Sequence, residues 1–364
     1  MSTQEIAEIR ERAHSLCKEY LHGAWTSVKS SEIQVKKISG GLSNLLYLCS
    51  LPVGTSPSPS GEPARVLLRL YGQIRGEAEE ALEGLLTEAV IFTLLSESQR
   101  GPRLFGVFPG GRLEEYIPAR PLRTKELSEP ALSGSIAEKL AQIHSMRVPI
   151  NKHPRWLWNT MHRWLDNIDR LPTDLDPPAA AAMLATFKAY DLPGEMAWLR
   201  RELSEIGSPV VFCHNDLQEG NILLREGQGH EVVVIDFEYS AYNYRAFDFA
   251  NHMCEWVYDY TCTEPPYFTA HSKAYPSQKQ QEHFARRYLR ALHQRDEVDA
   301  EEVETVLRET RAFSLASDFF WALWSVVNGA VSTIPFDYWV YGDARFQAYF
   351  QHKANLIAIG ELRE

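Results

Sequence analysis

Apolar residues recur at three- and four-residue intervals at Ile6, Ile9, Ala13, Leu16, Cys17, Tyr20 and Leu21, which predicts an amphipathic helix over residues 4 to 21. The pattern then shortens. Ile33 to Val35 and Asn44 to Cys49 read as strands joined by a glycine turn at Ser39-Gly40-Gly41. Val66 to Tyr71 reads as a third strand, with Arg69 standing out among apolar neighbours, and Gly54 to Pro63 between them is a Pro/Ser/Gly loop. A helix is expected over Glu79 to Leu95, with Leu82, Leu85, Leu86, Ala89, Val90, Phe92 and Thr93 on one side. Leu104 to Phe108 and Arg112 to Ile117 then flank Pro109-Gly110-Gly111 as a strand pair.

After Pro118 and Pro121 the pattern turns helical: Ser133 to Met146, Trp156 to Ile168 and, beyond the proline-rich run Leu171 to Pro178, a stretch ending near Ile206. Past a central segment, Phe212 to Asp248, helices are expected over Asp248 to Tyr260, Ser277 to His293, Ala300 to Val331 and Asp343 to Gly360. The change of character predicts two domains, a β-rich one over residues 1–118 and a mainly helical one over 119–364.

At 364 residues with 45% apolar content, the chain can bury a full core in each. A formal net charge of -11 with no basic stripe argues against a general nucleic-acid binder, and it reads first as an aid to solubility and only second as mild steering of a cationic substrate. The five cysteines form no C-x-x-C pair, which suggests free thiols in a reducing compartment. No secretion signal is evident at the N-terminus, and no run approaches the ~18 apolar residues of a membrane span. A cytoplasmic protein is the expectation.

The chemistry concentrates in the central segment. Asp216 and Asn221 stand in D-x-x-x-x-N spacing, and Asp236 closes the apolar run Val232 to Ile235. An aspartate that accepts or orients a hydroxyl proton, beside an amide and a second acid that reach a divalent metal, is what phosphoryl transfer from ATP requires. Hard oxygen ligands at Asn221 and Asp236 suit Mg²⁺. His214 is expected to brace backbone rather than react. Glu238 stands where a protein kinase has the glycine of Asp-Phe-Gly, which weakens a protein-kinase reading. The loop Ser39, Gly40, Gly41, Leu42, Ser43 and Asn44 can present N–H groups to phosphates, though it fits a plain hairpin turn equally well and is no Walker A motif. Arg69 could stand in for the lysine of kinases, with Glu88 as its ion-pair partner.

A second constellation is aromatic. Trp321 and Trp324 share a helix face, Phe336, Tyr338, Trp339 and Tyr341 follow within one loop, and Tyr239, Glu255 and Tyr260 come soon after the acid–amide–acid core. Any single ring reads best as core. A box of rings with one acid is also how a quaternary ammonium is held.

Val211 to Asp216 with Gln218 to Asn221, Asp236 to Tyr239 running into Tyr242 to Arg245, Asn251-His252 with Cys254-Glu255-Trp256, and the Trp321/Trp324 pair together resemble the choline/ethanolamine kinase family, most of all its beta-type members, over roughly residues 10 to 355. The resemblance implies an α+β, two-lobed protein-kinase-like fold, with a small N-terminal ATP-binding lobe and a larger catalytic, choline-binding one. It implies phosphocholine synthesis from choline and MgATP, with ethanolamine as a weaker substrate, by a homodimer or a heterodimer with a related isoform. By that likeness Asp216 is the base, with Gln218 nearby, and Asn221 and Asp236 carry Mg²⁺. Arg69 contacts the ATP phosphates beneath Ser39 to Asn44, and Glu115 to Ile117 line the adenine. Choline's head would lie among Tyr239, Glu255, Tyr260, Trp321, Trp324, Phe336 and Tyr341. Ethanolamine kinases lack the Cys-Glu-Trp run after Asn-His, which favours choline.

Two other readings stand beside it. One is a kinase for another amino alcohol or an aminoglycoside, although a polyhydroxy substrate would want amides and carboxylates rather than rings. The other is an inactive kinase-fold module that binds choline, against which the intact Asp216, Asn221 and Asp236 argue.

Overall fold

A computed structural model describes residues 3–38, 44–55, 61–71 and 78–363. The expected phosphate loop, Ser39 to Ser43, lies outside the described residues. The chain divides into two compact units, Met1–Pro118 and Ala119–Glu364.

The first unit opens with helices α1 (Thr3–Tyr20) and α2 (Ala24–Ser27), followed by strands β1 (Gln34–Ile38), β2 (Asn44–Ser50) and β3 (Arg65–Tyr71). Helix α3 (Ala78–Glu97) precedes β4 (Leu104–Phe108) and β5 (Gly111–Glu115). The strands form an antiparallel sheet in the order β1-β2-β3-β5-β4. Alternation along β3 sends Val66, Leu68 and Leu70 into a core with Ala13, Cys17 and Leu21, while Arg69 stands on the other face. Gly111 is required at the head of β5, because a Cβ there would meet the Arg69 carbonyl oxygen at 2.2 Å. The stripe expected on α3 is shifted: Leu86 and Val90 are exposed, and Ile91, Phe92 and Leu95 are buried. This helix is apolar over most of its circumference, so packing rather than periodicity decides which side is covered.

The second unit begins with β6 (Ala119–Pro121), then α4 (Pro130–His144), α5 (Trp156–Asp169), α6 (Pro178–Lys188) and α7 (Leu192–Ser204). The stretch expected to run on to Ile206 is therefore two helices. Asp191, left-handed at φ 49°, breaks it, and Pro193 suits the first turn of the second. Next come β7 (Val210–Cys213), β8 (Ile222–Arg225), β9 (Val232–Val234) and β10 (Ala241–Tyr244). Strand β10 pairs with β7, while β6, β8 and β9 form a second small sheet. Helix α8 (Arg245–Glu255) stops short of the expected Tyr260. Tyr258–Asp259 is instead a strand, β11, paired with β12 (Thr269–Ala270). The chain ends in α9 (Gln278–His293), the long α10 (Ala300–Gly329) and α11 (Tyr338–Ala358). Helix α11 starts five residues before the expected position, because the Asp337 side chain caps it by accepting the Val340 N–H at 3.1 Å. Tyr338, Trp339 and Tyr341 thus lie on its first turn, not in a loop. Aromatic and aliphatic side chains of α5, α7, α8, α10 and α11 fill the core of this unit. Among the described residues, no helix is long and apolar enough to cross a membrane.

Candidate active site

Strand β7 delivers the chain to His214 and Asn215, where the backbone turns sharply. Asn215 has φ 68° and Asp236 φ 63°, a left-handed conformation that asparagine and aspartate tolerate better than most residues. The cost of two such positions, about 1–3 kcal/mol each, requires surrounding structure that over-determines them. Asp248 on α8 supplies it at Asn215. Its carboxylate accepts the backbone N–H of His214 at 2.7 Å and of Asn215 at 2.6 Å, and its Oδ2 also meets His144 Nε2 at 3.0 Å. Burial alone would raise this carboxyl, but His144, His214 and the Asn215 N–H outweigh it and hold it below its ordinary value. The amide of Asn215 donates to the Tyr239 carbonyl at 2.9 Å and accepts from Asn243 at 2.8 Å.

His214 ties the two acid-bearing segments together. Its Nε2 lies 2.9 Å from the Ile235 carbonyl, and its Nδ1 accepts the Asp216 N–H at 3.2 Å. That pattern defines a neutral ring with the proton on Nε2, in keeping with its buried, lowered pKa. Asn221 spends its amide nitrogen on Asp216, donating to the carbonyl at 2.8 Å and to Oδ2 at 2.9 Å. The remaining amide oxygen is a hard ligand. Burial pushes the Asp216 carboxyl well above its ordinary value, and the charges of Glu255, Asp236 and Glu238 add to the effect. An aspartate so tuned is a better proton acceptor near neutrality than an exposed one. Gln218 folds back on its own turn, with Oε1 accepting the Gly220 N–H at 2.6 Å.

His252 braces the same loop from behind. Its Nδ1 lies 2.9 Å from the Leu217 carbonyl, and its Nε2 accepts the Trp256 indole N–H at 3.3 Å. Burial lowers its pKa to about 4. The folded value lies below the unfolded value of about 6.5, so the neutral ring contributes stability above that pH and loses it as pH falls towards 4. The full loss is about 3 kcal/mol. We therefore expect the urea midpoint of the wild type to fall between pH 7 and pH 4.5 by more than that of His252→Gln. Parallel pH profiles for the two proteins would show that this imidazole is not held neutral.

All seven of the expected cage residues come together around these elements. Ring centroids run from Tyr239 to Trp321 at 5.6 Å, from Trp321 to Trp324 at 5.5 Å and from Trp324 to Tyr341 at 6.5 Å. Tyr341 continues to Phe336 at 5.4 Å and to Tyr260 at 6.0 Å. Tyr239, Tyr260, Trp324 and Phe336 are half-buried and present ring surface, whereas Trp321 and Tyr341 are buried behind them. The Trp321 indole donates to Asn251 Oδ1 at 2.6 Å. Glu255 is buried and partnered on both oxygens, by the Arg345 guanidinium and by the Tyr260 hydroxyl at 2.8 Å. Arg345 and Phe268, whose ring lies 5.6 Å from Phe336, were not identified from the sequence. Nor was Asp248 given a role.

In the first unit, the expected pairing of Arg69 with Glu88 is redistributed. Glu88 is engaged by Arg112, which stands opposite Arg69 across β3 and β5. Glu114 takes the place beside Arg69, at 3.5 Å, and receives Arg112 Nε at 2.7 Å. Two arginines facing each other across neighbouring strands repel unless acids share their face. Glu114, two residues from Arg112, supplies that charge, and the two guanidinium groups hold its carboxyl below the usual range despite its burial. Glu115 accepts the Arg103 N–H at 3.0 Å, and Ile117 is buried.

A β-sheet unit with a buried Arg–Glu cluster, and a helical unit carrying an Asp–Asn pair, a left-handed Asp and a ring box, define a kinase-fold phosphotransferase for small molecules. The chain belongs to the choline/ethanolamine kinase family, whose family model matches residues 35–350. It is 48% identical over 358 residues to a human protein named choline/ethanolamine kinase, covering 97% of this chain and 88% of that one. It is 46% identical to mouse choline kinase alpha, covering 95% and 81%. The crystal structure of a choline kinase from Cryptosporidium parvum superposes with a TM-score of 0.79 at 26% identity, covering 96% and 97%.

Proposed function

We propose that this protein is an ATP-dependent choline kinase, transferring the γ-phosphoryl group of ATP to the hydroxyl of choline to give phosphocholine and ADP, with ethanolamine as a weaker substrate. The observation that carries the reading is the Asp216–Asn221 hydrogen-bonded pair standing in the same unit as the continuous run of rings from Tyr239 through Trp321 to Trp324. Asp216 accepts the proton that leaves the choline hydroxyl as its oxygen bonds to the γ-phosphorus and the bond to ADP breaks. Its hydrogen bond from Asn221 fixes the carboxylate for that approach. Gln218 flanks it.

The Asn221 amide oxygen, left over once its nitrogen is spent on Asp216, and the carboxylate of Asp236 are hard donors of the kind Mg²⁺ takes, and would hold an ion that neutralises phosphate charge when bound. Arg69, held on a rigid strand beside Glu114, and Asn44 at the start of β2 are assigned to the phosphates together with Ser39, Gly40, Gly41, Leu42 and Ser43. Glu88 supports this cluster through Arg112. Glu115 and Ile117 are assigned to the adenine. The dimer and the cytoplasmic location belong to the same reading. The latter is supported by five free thiols, four of them buried.

Half-buried rings around a cation contribute on the order of 0.5–2 kcal/mol each. Trp324→Ala is therefore expected to raise the choline KM by roughly 3- to 30-fold, and the ethanolamine KM by less. Steady-state ADP release with choline, ethanolamine and an aminoglycoside tests both substrate class and cage. An aminoglycoside preferred over choline would refute the assignment, and equal KM effects on both amino alcohols would make Trp324 ordinary core.

A further inference from the structure

Three cage residues, Glu255, Tyr260 and Tyr341, are joined in a closed hydrogen-bonded ring by Arg345, a residue that the catalytic reading does not use. Arg345, wholly buried on α11, donates from Nε and Nη2 to the Tyr341 hydroxyl at 2.9 and 2.6 Å. The Tyr341 and Tyr260 hydroxyls lie 2.8 Å apart, and Tyr260 donates to Glu255 Oε2 at 2.8 Å. Arg345 Nη2 closes the circuit on Glu255 Oε1. With Tyr260 giving its proton to Glu255, the hydrogen between the two hydroxyls must come from Tyr341, so every bond in the circuit has one direction. The guanidinium also stacks 3.8 Å over Tyr258 and bonds Asp318 Oδ1 at 3.1 Å, and Asp318 in turn faces His352 at 3.3 Å.

We propose that Arg345 is the positioning residue that sets the preference for a quaternary over a primary ammonium, an inference that rests on the choline kinase reading. A primary ammonium needs acceptors for three N–H groups and a concentrated negative charge. The single carboxylate of the cage offers neither freely. One oxygen carries a guanidinium, the other a hydroxyl, and its charge is compensated by a buried cation. A trimethylammonium group has no N–H, spreads its charge over its methyl groups, and loses little in such a site, because ring faces supply its attraction. Arg345 thus withholds Glu255 from ethanolamine without touching choline, and fixes the rings of Tyr260 and Tyr341 while doing so.

The test compares the choline-to-ethanolamine ratio of kcat/KM in wild type, Arg345→Met, Arg345→Lys and Tyr260→Phe, all with MgATP. Removing the guanidinium frees Glu255 Oε1, and Tyr260→Phe frees Oε2. In both variants the ratio is expected to fall at least fivefold, chiefly through a lower ethanolamine KM, and in Arg345→Met, which changes no cage ring, kcat on choline should stay within threefold of wild type. Arg345→Lys, which keeps the charge but not the fork, should lie between. A ratio within twofold of wild type, or one that rises, overturns the proposal. If Arg345→Met fails to fold by circular dichroism, Tyr260→Phe decides alone. A wild type that turns over without choline would refute the kinase reading itself, whereas an unchanged ratio among active proteins refutes only the role of Arg345.

Discussion

Asp216→Asn is expected to lower the turnover of choline by roughly a hundred- to ten-thousand-fold, the range over which removing a general base acts. The substitution keeps the size of the side chain and an oxygen for the Asn221 amide, which now donates to Oδ2 at 2.9 Å. It removes only the capacity to take a proton. Stability should move the other way. A carboxyl raised by burial and by Glu255, Asp236 and Glu238 is ionised at a cost in the folded state, so it opposes folding at neutral pH. The neutral amide should unfold at the same or a higher temperature than wild type. Loss of activity with retained or increased melting temperature separates this outcome from simple damage. A variant within tenfold of wild-type turnover would remove Asp216 from the mechanism.

Asp248→Asn is expected to cost about 3–5 kcal/mol of unfolding free energy, as breaking a buried, hydrogen-bonded charge does. The carboxylate faces three donors: the N–H groups of His214 and Asn215, and His144. An asparagine offers one oxygen and turns its amide N–H against a donor. The left-handed Asn215 then loses the acceptor that holds it, and the Asp216 segment loses its register. Activity should fall with stability, and a high concentration of choline should not restore it, because no cage residue has changed. Urea unfolding checks the magnitude. An Asn variant with the wild-type midpoint would mean that the loop is held by β7–β10 pairing alone.

These two residues illustrate what could be read from the chain. The contact between Asp216 and Asn221 was legible because both stand in one short loop, five residues apart. Asp248 meets His144 across 104 residues, and no periodicity signals that contact. The redistribution of Glu88 and Glu114 between two arginines depended on the register of β3 against β5, which places Arg69 opposite Arg112. Most of the helices were visible in their apolar spacing. The early start of α11 was missed although Asp337 stands three residues before Val340 in the manner of a cap, because the crowded rings there read as a loop. Which rings face outward depends on tertiary packing, so Trp321 and Trp324, alike in sequence, differ in exposure.

The most direct test of the account is phosphorus NMR of the wild-type protein with ATP, Mg²⁺ and choline, beside the same mixture without choline. The account predicts a phosphomonoester resonance matching phosphocholine, growing in step with ADP and absent when choline is withheld. ATP consumed at the same rate in both tubes, with inorganic phosphate as the product, would contradict it.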